Sequence, residues 1–253
     1  MATYFFRILI TFFVFIFIIP AVTAQKTLES KPPENAIMLF DGSRKMLDEK
    51  WTYWKGPRFA GTLPIKWIIT NDPVEPGTVV NSHDTTAGEG EYGVADIVTK
   101  ESFRDFRLHV EFLVAEKGGN SGVYLQNRYE IQIFDGDSTV HGMGAVINEA
   151  AAVYAVYKGI GKWNTYDIMF RAARFGKGVR TEKARVTLYF NGIKVHDDQP
   201  IEQVWGGKNS GIDGGGPITD SPGGIKLQAE GHNVLFKNIW IRKLNIKRRN
   251  ISF

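Results

Sequence analysis

The 253-residue chain contains no cysteine. Disulfide crosslinks are therefore excluded, and stability must come from packing or from a bound metal. Charge of one sign is also scarce. The formal balance is +4, and the basic residues are scattered apart from Lys247 to Asn250, which is weak support for nucleic-acid binding. No internal repeat or low-complexity segment is present. The two glycine-rich stretches, Gly118 to Gly122 and Gly206 to Gly224, lack both the strand–glycine–helix context and the P-loop lysine, which excludes a nucleotide site. The five histidines show no His-x-His or His-Glu-x-x-His spacing, so local sequence defines no zinc site. A nucleophile elbow is missing too, leaving a serine hydrolase unsupported.

Long hydrophobic runs are limited to one. After Arg7, residues Ile8 to Ile19 are almost wholly apolar, Pro20 interrupts them, and "AVTA" places small residues before Gln25. This pattern predicts a secretory signal peptide over 1–24, cleaved after Ala24. An uncleaved membrane anchor is the competing reading. A thioether-lipid anchor is excluded because no cysteine is available. Export without disulfides suits a bacterial periplasm, the extracellular medium or a cell surface. The remaining 229 residues suffice for one sizeable core. They divide into a mobile leader over 25–35, a domain over 36–244 and a basic tail over 245–253.

What the domain has in abundance is alternation of period two. In "FRLHVEFLV", Phe106, Leu108, Val110 and Phe112 share one face, with Arg107, His109 and Glu111 on the other. Val123 and Leu125, Ile131 and Ile133, Tyr166 with Ile168 and Phe170, and Val186 with Leu188 and Phe190 repeat the pattern. Asn191-Gly192 predicts a tight hairpin turn. "GGIKLQAEGHNVLFKNIWIRKL" predicts two further strands separated by Glu230 to Asn233. Residues Pro57 to Gly90 read as loops around short strands. Asn148 to Tyr157 is the one segment with helical character, and it predicts a loop with at most a turn or two of helix. Strands never alternate with long helices, so the expectation is all-β: a sandwich of two antiparallel sheets.

The strand "RYEIQIF" departs from an ordinary wet face. Opposite Ile131 and Ile133 it carries Glu130 and Gln132, and Asp135 follows. A carboxylate in mid-strand is costly unless paired or useful. By alternation Tyr124 and Gln126 join this face, giving a polar patch with a ring in it. Sugars need such a surface, with amides and carboxylates for hydroxyls and rings for C–H faces; an exposed outer sheet face is the plainer alternative. Asn120 sits in the preceding glycine loop. Lys226 and Gln228 put similar chemistry on the "GGIKLQ" strand. His141 and His232 lie in loops after these strands and are candidates for base or ligand roles, whereas His109 and His196 read as structural or solvated. Trp163 fits a core or a stacking position, and Arg171 and Arg174 could hold an anion.

Four segments together resemble the 3-keto-disaccharide hydrolase domain family: "FRDFRLHVEFLVAEKGGNSGVYLQNRYEIQIFD", "GKWNTYDIMFRAARF", "ARVTLYFNGIKVHDD" and "GGIKLQAEGHNVLFKNIWIRKL". The resemblance runs from about Ala36 to Leu244. It implies a concanavalin A-like lectin/glucanase jelly-roll sandwich, exported by carbohydrate-using bacteria, that cleaves 3-keto-disaccharides or other glycosides oxidised at the sugar 3-position. Glucanases of this fold set paired acids on one strand. Glu130 matches that location, but Gln132 stands where a second acid would be, which argues against an ordinary retaining glucanase. A C3 ketone acidifies the C2 hydrogen and makes the C1 oxygen a β leaving group. One base, one acid and donors to the enolate then suffice. The resemblance thus casts Glu130, His141 and Asp135 as acid–base candidates. Asn120, Tyr124, Gln126, Gln132, Trp163, Arg171, Lys226, Gln228 and His232 are candidates for substrate contact. Ca²⁺ or another divalent ion stays open as an electrophile. Two non-enzymatic readings remain: a carbohydrate-binding sandwich module and a structural or partner-binding surface protein.

Overall fold

The computed structural model describes residues 31–136, 138–152, 156–204 and 218–246. The predicted signal peptide, most of the leader and Lys247 onward lie outside the described residues, as does most of the Gly206–Gly224 stretch. Among the described residues, fifteen strands and one helix follow in chain order: β1 (Ile37–Phe40), α1 (Arg44–Lys50), β2 (Trp51–Tyr53), β3 (Ile68–Asn71), β4 (Thr78–Asn81), β5 (Ile97–Thr99), β6 (Asp105–Val114), β7 (Asn120–Leu125), β8 (Tyr129–Phe134), β9 (Asn164–Arg171), β10 (Arg174–Gly176), β11 (Val179–Glu182), β12 (Ala184–Phe190), β13 (Ile193–Ile201), β14 (Lys226–Leu227) and β15 (Val234–Leu244).

Two antiparallel sheets form the sandwich. The larger runs β13-β12-β9-β6-β15-β4-β3, with β1 also pairing with β15. The smaller runs β2-β5-β14-β7-β8. This is the sandwich of two antiparallel sheets that the alternation implied, and the jelly-roll that the resemblance implied. Val123, Leu125, Ile131, Ile133, Val186, Leu188, Ile225 and Leu227 are all fully buried between the sheets. Rings knit the layers together. Phe112 and Tyr166 lie 4.6 Å apart, Tyr166 and Phe190 4.9 Å, and Tyr129 of the smaller sheet meets Phe170 of the larger at 5.6 Å. Each buried ring of this kind contributes about 2–3 kcal/mol of transfer free energy.

The β12–β13 hairpin turns on Asn191 and Gly192, at φ +50° and +81°, the left-handed pair that a two-residue turn requires. The β7–β8 connection places Gln126 and Asn127 at φ +54° and +55°. Alternation therefore stops at Leu125, and Gln126 does not share the face of Tyr124 as the sequence predicted. Its amide instead donates to the carbonyls of Phe103 and Arg104.

The helix also departs from expectation. It is α1, capped by Ser43, whose Oγ accepts the Met46 N–H at 3.1 Å; Arg44–Asp48 and Lys45–Glu49 ion pairs line its surface. The described part of Asn148–Tyr157 contains no α-helix. His109 and His196 are buried and paired, the structural one of the two readings given for them. His109 stacks on Trp240 at 5.1 Å with Asp167 on Nδ1, and His196 pairs with the Gly144 carbonyl.

Candidate functional site

In the smaller sheet, the residues that alternate with the core residues meet on the outer face. β8 contributes Glu130 and Gln132. β7 contributes Gly122 and Tyr124. β14 and the segment after it contribute Lys226, Gln228 and Glu230, while Asp96 precedes β5 and Trp54 follows β2. The ladder register aligns them, with Tyr124 opposite both Glu130 and Lys226 and Gly122 opposite Gln132. The Gln228 N–H donates to the Gly122 carbonyl at 3.1 Å, and the Trp54 N–H to the Asp96 carbonyl at 2.8 Å.

Lys226 is 1% exposed, and its ammonium is committed. It lies 2.8 Å from Asp96 Oδ2, and 3.7 Å and 4.1 Å from the ring centroids of Tyr124 and Trp54. Asp96 is fully buried and fully used, since its Oδ1 also accepts the N–H groups of Ala229 and Gly93. Gln228 Nε2 donates to the Tyr124 hydroxyl at 3.2 Å, and the Gln228 carbonyl accepts the Ser121 hydroxyl at 2.8 Å. These contacts make the centre of the face rigid.

Two further carboxyls border that saturated network. Glu130 lays its carboxyl over Gly122, where a Cβ would come within 2.3 Å of Oε1. Burial pushes its pKa up to about 7, against the opposing influence of a hydrogen bond from Tyr124 and the charge of Lys226. Burial also drives the Tyr124 phenol well above its usual value, so it stays a donor. Glu230 is pushed up to about 8 by burial and then by the negative charges of Glu130 and Asp96. The face can thus hold and release a proton near neutrality, beside a phenol and amides suited to sugar hydroxyls.

Of the residues singled out from sequence, Glu130, Tyr124, Gln132, Lys226 and Gln228 come together here. Asn120 ends the same face of β7, with its Oδ1 buried and unpartnered. The others have partners of their own. Asp135 accepts the Gly118 N–H. His141 is exposed and bonds Asn148 Oδ1 at 2.6 Å. His232 faces Glu116 at 3.4 Å. Trp163 belongs to the larger sheet's outer side, donating to Asp72 under the ammonium of Lys237. Arg171 is there too, paired with Glu182 at 2.8 Å, and Arg174 pairs with Asp105. Sequence reasoning missed Asp96, Trp54 and Glu230. Glu230 had a usable signal, because Lys226, Gln228 and Glu230 continue the period-two pattern past the two residues of β14. Among the described residues no group of three or more His, Asp or Glu could hold a metal ion. A cavity of about 350 Å³ lined by Asp48, Trp51, Thr52, Leu63, Pro64, Ile65 and Lys100 lies at the β2 edge, with none of Asp96, Glu130 and Glu230 in its wall.

A jelly-roll sandwich bearing acids, amides and rings on one sheet face defines a class of carbohydrate-active proteins. Residues 35–242 match the 3-keto-alpha-glucoside-1,2-lyase-like domain family, and the chain belongs to it. A crystal structure from Parabacteroides distasonis described as a "putative glycosyl hydrolase" is 28% identical, with a TM-score of 0.62 over 84% of this chain and 85% of that one. A second structure of the same description and organism is 20% identical, with a TM-score of 0.56 over 84% and 95%; at that identity the likeness shows the fold alone. No curated protein matches the chain.

Proposed function

We propose that this protein cleaves glycosides whose sugar carries a ketone at C3. Family membership supports the substrate class. The observation that carries the chemistry is Glu130, a carboxyl with its pKa raised to about 7 that accepts from a phenol held protonated. Glu130 takes the C2 proton, which the neighbouring ketone has made acidic. The C2–H electron pair forms the C1=C2 bond, and the C1–O bond breaks toward the leaving oxygen. Water then adds across C1=C2, hydroxyl to C1 and proton to C2, completing a net hydrolysis. Tyr124, Gln132 and Gln228 serve as donors to hydroxyls or to the developing enolate. No step is routed through a metal.

The test is incubation with 3-keto-glucosides and their unoxidised parents, with products followed by mass spectrometry. Oxidised substrates should be cleaved and the parents spared. E130Q should lower turnover by about a hundredfold or more, and deuterium at C2 should slow the reaction. Equal cleavage of both substrates with undiminished activity in E130Q would overturn the reading. Sugar binding without turnover in the wild-type protein would favour a carbohydrate-binding module instead.

A further inference from the structure

We propose that Glu230 is the second proton-handling residue of this site, donating to the leaving glycosidic oxygen while Glu130 removes the C2 proton. The assignment rests on the functional reading above and names a residue in a place that neither sequence motif nor family membership marks.

Three observations carry it. The first is placement. Gln228 is bonded to Gly122, and the Glu130 carboxyl occupies the space over Gly122. Glu230 is the next residue on the same side of the chain, two positions beyond Gln228. β7 lies between β8 and β14, so the two carboxyls approach each other across it on one face, and the charge of Glu130 is felt at Glu230.

The second is isolation. Glu230 is 6% exposed, and among the described residues its carboxyl has neither a hydrogen bond nor an ion pair. Asp96, buried in the same cluster, accepts three. A carboxyl on this face with no protein partner is left open to a ligand: a glycosidic oxygen or a sugar hydroxyl.

The third is rigidity. The Gly90 N–H holds the Glu230 carbonyl at 3.2 Å. Gly231, at φ +76°, lies so close to Gly88 and Glu89 that a Cβ there would sit 2.5 Å from the Glu89 nitrogen. The backbone is thereby fixed on both sides of the carboxyl, as a proton donor needs.

Their surroundings divide the roles. Glu130 has the Tyr124 hydroxyl and the Lys226 charge to favour its ionised form, whereas the charged neighbours acting on Glu230 are both negative. On this assignment the pair enters the cycle with one proton, on Glu230. In the first half Glu130 gains the C2 proton and Glu230 gives its own to the departing alcohol. In the second half the Glu230 carboxylate takes a proton from the attacking water, and Glu130 returns a proton to C2. The sum is glycoside plus water giving 3-keto sugar plus alcohol, with both carboxyls restored.

The test compares leaving groups. An alkyl 3-keto-glucoside needs its oxygen protonated, while a nitrophenyl 3-keto-glucoside does not. E230Q should lose about a hundredfold or more in kcat on the alkyl substrate and less than about tenfold on the nitrophenyl one. E130Q should lose comparably on both. The alkyl-to-aryl ratio within one preparation is independent of the folded fraction, so a poorly folding variant still gives an answer. Wild-type cleavage combined with an unchanged ratio in E230Q would overturn the Glu230 assignment and leave the functional reading standing. Failure of the wild-type protein to cleave either substrate would sink that reading, and this assignment with it.

Discussion

At Gly122 one methyl group separates a seated carboxyl from a displaced one. The position needs no left-handed backbone, so alanine is compatible with the strand itself. What alanine meets is Glu130 Oε1 at 2.3 Å and the edge of Tyr124 at 3.1 Å. G122A should therefore push Glu130 off its place, lowering turnover on a 3-keto-glucoside by about tenfold or more while costing about 1–3 kcal/mol of stability. Kinetics and a denaturant titration of the same variant would check this, and unchanged turnover would show that the carboxyl acts from somewhere else. A second residue-scale prediction follows from pH. Folding raises Glu130 and Glu230 from an unfolded value of 4.5 to about 7 and about 8. Their contribution to stability is fully present below about pH 4.5 and is lost as pH climbs through 7 and 8, because the unfolded chain ionises them freely and the folded one does not. E230Q removes one of these penalties. Its melting temperature relative to wild type should rise steadily from pH 5 to pH 8.5, and a difference independent of pH would contradict the burial of this carboxyl.

Among the elements, β8 decides whether the chemistry-bearing residues face the right way. It is the edge strand of the smaller sheet, yet its edge is not open. Gln132 exchanges bonds with Gly144 and Ala145, and the Glu130 carbonyl accepts the Ile147 N–H, so an irregular segment covers it. From the core side the Tyr166 hydroxyl donates to the Gln132 carbonyl at 2.6 Å, which ties β8 to the larger sheet and holds its register. Slipping β8 by one residue would exchange Glu130 for Ile131 on the outer face. Alternation made this strand legible in sequence, along with β6, β7, β9, β12 and β15, because each has one face in the core. It could not reveal α1, whose seven residues give fewer than two turns of periodicity and depend on the Ser43 cap and surface ion pairs. Nor could it reveal that Gln126 leaves the pattern, since the left-handed turn at 126–127 is a property of the chain reversal. β14 has two residues, so its continuation to Glu230 was legible only as a repeat of polar positions. His141 and Asp135 stood out in sequence through their residue type and position after β8. In the structure each has a local partner, Asn148 for His141 and the Gly118 N–H for Asp135.

Across the whole molecule, charge is distributed against the site. The chain is net positive, but the outer face of the smaller sheet carries Asp96, Glu130 and Glu230 against one cation. That cation, Lys226, is spent on Asp96 and on two aromatic rings. An anionic sugar placed here would meet two carboxyls and no uncommitted positive group among the described residues of this face. At about 5 Å and an effective dielectric of about 20, each ionised carboxyl would cost such a substrate about 3 kcal/mol. The substrate's charge would also raise both carboxyl pKa values further and leave Glu130 protonated when it must act as base. The expected specificity is for neutral glycosides. Measured as kcat/KM at pH 7, a 3-keto-glucuronide should be cleaved about a hundredfold or more below the matching 3-keto-glucoside. Because the charges are buried, added salt should narrow that gap little. E230Q removes one of the two repelling groups, so with a nitrophenyl leaving group, which needs no proton donor, the variant should discriminate less than wild type. Equal cleavage of the two sugars by the wild-type protein would mean that the anionic group lies away from Glu130 and Glu230, and that the polar face reads its substrate from a different direction.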